Sequence, residues 1–192
     1  GVAMGITGTD VSKQTADMVL TDDNYTSIVS AVEEGRTIYA NIRKFVFYLV
    51  SANLAEILTV FAAILAGLPI PLRPIQLLWL NLVTDGAPAL ALGMEKAEPR
   101  IMERPPRPTN EPIFNREMQR NVVVWALSIF AATFAAFIIG PQRFEPEPTG
   151  AQTMAFITLS SIELIIAFSA RSERYSPWAV GFFSNRAMLL AV

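Results

Sequence analysis

The chain has 192 residues, 52% of them hydrophobic, and its mean hydropathy is positive; the apolar residues are gathered into long runs rather than dispersed as a soluble core requires. Lys and Arg number 15 against 17 Asp and Glu, so no excess of positive charge points to nucleic acid. With neither Cys nor His, disulfides, thiol nucleophiles and the Cys/His sites of zinc and haem are excluded, and any metal must be held by oxygen.

Residues 1–25 read as soluble mixed structure. GVAMG and DMVLTD have the pattern of short buried strands, and TGTDVSKQTA between them places Thr and Asp where a short helix would start. So short a segment cannot bury a core alone and is expected to end a larger α/β domain. The Gly at the start and the apolar AMLLAV at the end make the chain read as part of a longer protein. From Thr26, with Asn24 or Thr26 as cap, Ile28, Val29, Val32, Ile38 and Ile42 recur at helical spacing, and no Pro interrupts the pattern as far as Ala66. One helix over 26–66 would be roughly 60 Å long at about 1.5 Å per residue. That is about twice the hydrocarbon thickness of a bilayer, so its first half is expected to project into water as a stalk. The alternative is two helices hinged near Gly35.

Further apolar segments at 74–93, 120–140 and 152–170 each approach the ~20 residues a crossing needs, and a fifth begins at 187–192. The expected fold is mainly α, a polytopic helical membrane bundle with a short α/β remnant at its N-terminus. Lys96, Arg100, Arg104, Arg107 and Arg116 fall in the loop 94–119, and Arg171, Arg174 and Arg186 follow Ala170, whereas the opposite loops carry Arg73 and Arg143. The basic loops, and with them the N-terminus, are therefore expected to be cytoplasmic. The run ERPPRPTNEP reads as a stiff connector.

Polar groups interrupt the apolar segments. Asn53 and Glu56 are three apart on one helix face, Asn81, Thr84 and Asp85 lie in the second segment, and Glu163 lies in SSIELIIAF. An ionised carboxylate at mid-membrane costs about 2.5–3.5 kcal/mol on insertion scales. No Lys or Arg lies within the apolar stretches that carry them, FVFYLVSANLAEILTVFAAILAG, 74–93 and 152–170, to offset three of them, which leaves protonation with interhelical hydrogen bonding, or a shared function. The functional reading is an oxygen cage for a hard cation, built from carboxylate, amide, hydroxyl and backbone oxygens. Gly86 and Pro88 strengthen it: Pro88 has no N–H for the carbonyl of Thr84, and Gly86 lowers the cost of unwinding. Non-helical backbone at membrane depth is tolerated where it lines a cavity, and broken helices present their carbonyls to ions.

These residues carry a resemblance to the C-terminal part of a P-type ATPase of the sarcoplasmic reticulum-like, calcium-transporting class. ITGTDVSKQTADMVLTDDNYTSIVSAVEEGR resembles the end of the phosphorylation domain leading into the fifth transmembrane helix, and SANLAE that helix's ion-binding stretch. LLWLNLVTDGAPALALG is similar to the sixth helix, the most specific of these signatures, and TMAFITLSSIELIIAF to the eighth. The resemblance implies a first calcium site of Asn53, Glu56, Thr84, Asp85 and Glu163, and a second to which Asn81 and Asp85 contribute, its other ligands coming from a fourth helix that this chain lacks. Glu56 and Glu163 together favour the two-site type over pumps that carry one ion, and NLVTDG favours calcium over sodium/potassium pumps.

What the resemblance implies chemically is ATP-driven transport through an aspartyl-phosphate, with ATP and Mg²⁺ bound outside this chain. DKTG, TGES and GDGxND are absent from it, so no catalytic residue is expected here and the chain alone should be inactive. The long helix is expected to displace Asn53 and Glu56 relative to Asn81, Thr84 and Asp85. Ion release would leave Glu56 and Glu163 uncompensated and favour proton uptake, hence countertransport. The implied partners are the bilayer and the rest of the pump, and the expected location is a bacterial plasma membrane. The competing expectations are a pump for manganese or sodium on the same frame, and a truncated, non-catalytic cation-binding membrane module.

Overall fold

A computed structural model describes residues 1–108, 111–143, 148–172 and 175–192. Thr109 and Asn110 of the Pro-rich connector and Arg174 of the second basic loop lie outside the described residues. The chain divides into two compact units, Gly1–Tyr39 with Ala97–Pro106, and Ala40–Lys96 with Arg107–Val192.

In the first unit, β1 (Val2–Met4) and β2 (Met18–Leu20) pair in parallel, with Val2 opposite Met18 and Met4 opposite Leu20. The helix between them, α1 (Asp10–Thr15), starts at Thr9, whose side chain accepts from the Ser12 N–H. Both strands and the helix fall where the pattern places them, but the strands are not buried throughout: only Ala3 and Leu20 are. A two-stranded ribbon can cover just one residue of each strand. Beyond β2, Asp23 takes a left-handed conformation, φ 51°, and its carboxylate accepts from the N–H groups of Ile6 and Thr7 at 2.9 and 2.8 Å and from the Thr7 hydroxyl at 2.7 Å. Those bonds, the Ile6 N–H foremost, hold its pKa down at about 2. Further along, Arg36 Nη1 donates to the carbonyls of Ile101 and Arg104, at 2.9 and 2.8 Å, holding the 3₁₀ turn Ile101–Glu103.

α2 runs as one helix over Thr26–Leu65, 40 residues, with no hinge at Gly35. Asn24 supplies the cap, its side chain accepting from the Thr26 N–H at 3.0 Å. A buried stripe of Asn41, Lys44, Tyr48, Ala52, Ala55, Thr59 and Ala63 follows the helical repeat, while Ile57, Phe61, Ile64 and Leu65 face outward.

The second apolar segment is not one regular helix. It divides into α3 (Pro74–Trp79), a π turn (Leu80–Thr84) and α4 (Gly86–Gly93). The third is α5 (Arg116–Arg143) and the fourth α6 (Pro148–Ser169), each starting about a turn before the apolar run does. Polar first turns are read from sequence as loop, yet they extend a helix that packing already stabilises. α7 (Pro177–Val180) and α8 (Arg186–Ala191) complete the chain. Among the described residues four helical spans, 26–65, 74–93, 116–140 and 149–169, are long and apolar enough to cross a membrane.

α5 and α6 are closely apposed. A Cβ at Gly140 would lie 3.0 Å from Ala151 Cα, and Ala126, Ile129, Thr133 and Phe137 on α5, like Ala155, Leu159, Glu163 and Ala167 on α6, are buried at helical spacing. Small residues let the backbones approach, as membrane helices need where no hydrophobic effect drives them together.

Candidate cation site

The π turn brings the polar groups of the second span into the bundle. Its wide i→i+5 bond runs from Asp85 N–H to the Leu80 carbonyl at 2.8 Å, and the irregularity turns Thr84 and Asp85 inward, 5% and 0% exposed, with Asn81 at the edge. π turns are rare and concentrate at functional positions. Pro88 removes one N–H from this stretch, and the carbonyl of Thr84 accordingly takes a donor from outside its helix, the hydroxyl of Tyr48 at 3.1 Å.

The same Tyr48 hydroxyl lies 3.1 Å from Asp85 Oδ1. Tyr48 was not among the residues that the sequence pattern singles out. It lies two turns before Glu56 on the buried stripe of α2, and that spacing was the available signal. A Tyr in an apolar helix reads as core until its hydroxyl is seen to have a partner.

Glu56 is buried against Asn81, whose amide donates to Oε2 at 2.9 Å. Glu163 enters from α6, wholly buried. It lies close enough to Asp85 and Glu56 for the three charges to repel. Thus Glu56, Asn81, Thr84, Asp85 and Glu163, drawn from three spans, meet in one region of the bundle. The Asn53 amide donates back to the Leu49 carbonyl at 2.8 Å, and no hydrogen bond ties Asn53 to the other five among the described residues.

The contacts leave a surplus of acceptors. Glu56 Oε1, Asp85 Oδ2 and both oxygens of Glu163 are buried without a hydrogen-bond partner. Buried polar groups are rarely left so, and each calls for an explanation such as a missing ion. Among the described residues no three acidic side chains are drawn together tightly enough to form a ready-made metal centre. The carboxylates would have to draw in, or share their ion with amide, hydroxyl and backbone oxygens. Oxygen donors without nitrogen or sulfur suit a hard cation such as calcium.

Comparison with known proteins decides the family. Residues 69–192 match the family described as the C-terminus of cation-transporting ATPases. The chain belongs to that family. The whole of this ATPase segment is 51% identical to a calcium-transporting ATPase of Bacillus subtilis and covers 22% of it. It is 44% identical to calcium-transporting ATPase 1 of Bacillus cereus, covering 23%, and 39% identical to calcium-transporting ATPase 1 of Yarrowia lipolytica, covering 20%. The segment thus spans less than a quarter of the length of these relatives and corresponds to the C-terminal part of a P-type cation pump. The mainly α membrane bundle expected of that family is the fold observed.

Proposed function

We propose that this segment is the ion-binding membrane part of an ATP-driven calcium pump, with Glu56, Asn81, Thr84, Asp85 and Glu163 as the oxygen donors and Asn53 joining them by a change of rotamer. The observation that carries the reading is the set of unpartnered carboxylate oxygens contributed by three spans around the π turn. Each is an acceptor that only a cation or a proton can satisfy at that depth. The relatives named as calcium-transporting support calcium as the cargo.

In this reading residues 1–25 end the phosphorylation domain and residues 26–44 form the stalk. The loops 94–119 and 171–186 and the N-terminus face the cytoplasm, and the membrane is the plasma membrane of a bacterium. ATP and Mg²⁺ act on the parts of the pump that precede this segment, where the aspartyl-phosphate forms. Movement of α2 carries Glu56 relative to Asn81 and Asp85, opening or completing the cage. When the ion leaves, the repelling carboxylates take up protons, which return as the countercargo.

The test is the ATPase activity of the full-length protein titrated separately with calcium, manganese and sodium. Stimulation by calcium at the lowest concentration is expected. Stimulation by sodium alone would overturn the reading, and stimulation by manganese at much lower concentration than calcium would change the cargo.

A further inference from the structure

One ion pair of this bundle lies outside the cation site and is shut away from water on both sides. Glu95, just past α4, meets Arg171, just past α6, with side chains 2% and 0% exposed. The pair is bidentate: Arg171 Nε donates to Oε2 and Nη2 to Oε1, each at 2.9 Å. Arg171 spends its remaining donors on the segment leading into α8. Nη1 bonds the carbonyls of Gly181 and Phe182 at 3.1 and 2.9 Å, and Nη2 the Ser184 hydroxyl at 2.6 Å.

Asn185 closes the arrangement. Its amide donates to Glu95 Oε2 at 2.8 Å and to the Ala91 carbonyl at 2.9 Å, while its oxygen accepts from the Met188 N–H and so caps α8. α2 reaches the same point: the Asn41 amide donates to the Glu95 carbonyl at 2.7 Å, and Lys44 Nζ donates to Asn41 Oδ1 at 3.2 Å. Burial opposes the charge on Glu95, but the bonds from Arg171 and Asn185 and the nearby cations outweigh it, holding its pKa below the ordinary value.

A buried pair of this kind adds little net stability over an apolar replacement. What its forked geometry does supply is direction, because two parallel bonds fix both distance and angle. The pair joins the end of α4, which follows Asp85, to the end of α6, which holds Glu163, and the backbone carbonyl of Glu95 takes α2, which holds Glu56, through Asn41. We propose that Glu95, Arg171 and Asn185 are positioning residues, a charged clasp that sets the axial register of these spans. The clasp thereby sets the calcium affinity of oxygens it never touches. The inference rests on the calcium-pump reading.

The test measures the calcium dependence of phosphorylation from ATP in the full-length pump. Phosphorylation by inorganic phosphate without calcium, the hydrolysis step run backwards, reports intact chemistry. Arg171→Met leaves the Glu95 charge buried and unpaired, and should raise the calcium needed for half-maximal phosphorylation about tenfold while phosphorylation by phosphate persists. Arg171→Lys, which keeps the charge without the fork, should give a smaller shift in the same direction. Glu95→Gln with Arg171→Met, which leaves no lone charge, should recover part of the loss, a non-additivity that marks direct coupling.

A merely structural pair would lower yield and thermal stability while leaving the half-maximal calcium of the folded pump unchanged, and that result overturns the proposal. If Arg171→Met does not accumulate, Arg171→Lys decides by the same criterion. A wild-type pump with no calcium-dependent phosphorylation would sink the pump reading and this one with it; a responsive wild type with unshifted variants would sink this one alone.

Discussion

Replacing Glu163 by Gln in the full-length pump should stabilise the ion-free protein and weaken the response to calcium. Glu163 is wholly buried and neither of its oxygens has a partner. A buried acceptor left unpaired costs about 1–3 kcal/mol, and more when charged, and here repulsion from Asp85 and Glu56 adds to it. Gln keeps the shape and removes the charge, so in a chelator, at a pH high enough to keep Glu163 ionised, the variant should exceed wild type by about 1 kcal/mol; at a pH where Glu163 has taken up its proton the two should be about equally stable. With calcium the order reverses. An ion present at 100 times its dissociation constant stabilises its site by about 2.7 kcal/mol, and a variant whose binding is a hundredfold weaker keeps only about 0.4 kcal/mol of that at the same concentration. The assay is thermal unfolding of the purified pump in detergent, in chelator and across a calcium titration. An equal calcium increment in both proteins would remove Glu163 from the site. A variant less stable than wild type in chelator would show the carboxylate to be structural.

Tyr48→Phe keeps the ring but strips the partner from the Thr84 carbonyl and Asp85 Oδ1. It should cost about 2 kcal/mol in chelator, read by the same unfolding assay, with the gap narrowing in calcium as Asp85 gains the ion; no loss in chelator would refute the assignment. Gly140→Leu drives a side chain into the Ala151 backbone, 3.0 Å from the Cβ position. It should destabilise by about 1–3 kcal/mol, and Gly140→Ala by less; equal melting temperatures for all three proteins would mean that α5 and α6 do not pack this closely. Asp23 titrates lower in the folded chain, at about 2, than its ordinary 3.8. Its bonds to Ile6 and Thr7 therefore stabilise the N-terminal unit above about pH 4 and are lost as pH falls towards 2. Pepsin cleavage of this unit should rise across that window in wild type and be already fast at its upper end in Asp23→Ala; identical profiles would remove Asp23 as the cause.

The spans were legible because hydropathy and length are nearly sufficient to define a membrane helix, and the 40-residue α2 followed from an apolar repeat with no Pro to break it. Glu56, Thr84, Asp85 and Glu163 stood out as candidates because a polar group at that depth is costly, and the structure buries all four. Gly86 and Pro88 signalled that the second span departs from an α-helix, but not the form of the departure. A π turn depends on where the displaced carbonyl finds a donor, and that donor, Tyr48, sits on another helix. Arg171 and Glu95 were unreadable as partners for a similar reason. As loop residues they carried only a topological signal, and their pairing depends on how four chain segments converge.

The bundle therefore treats the same chemical group in two opposite ways. Glu95 has its oxygens committed to Arg171 and Asn185, and no side chain need move for its charge to be offset. Glu163 has its oxygens committed to nothing, and Asp85 and Glu56 each keep one free. If burial of carboxylates served stability alone, the cheaper solution used at Glu95 would be expected at all four. On the reading proposed above, leaving acceptors open across three spans, next to a π turn and at the cost of mutual repulsion, makes the bundle depend on an external cation for its electrostatic balance. A pump needs that dependence, because an ion can drive a change between two states only by as much as it prefers one of them. On the proposed reading the open oxygens supply the preference, and the closed pair at Glu95 is the clasp that keeps the spans carrying them in register while it is used.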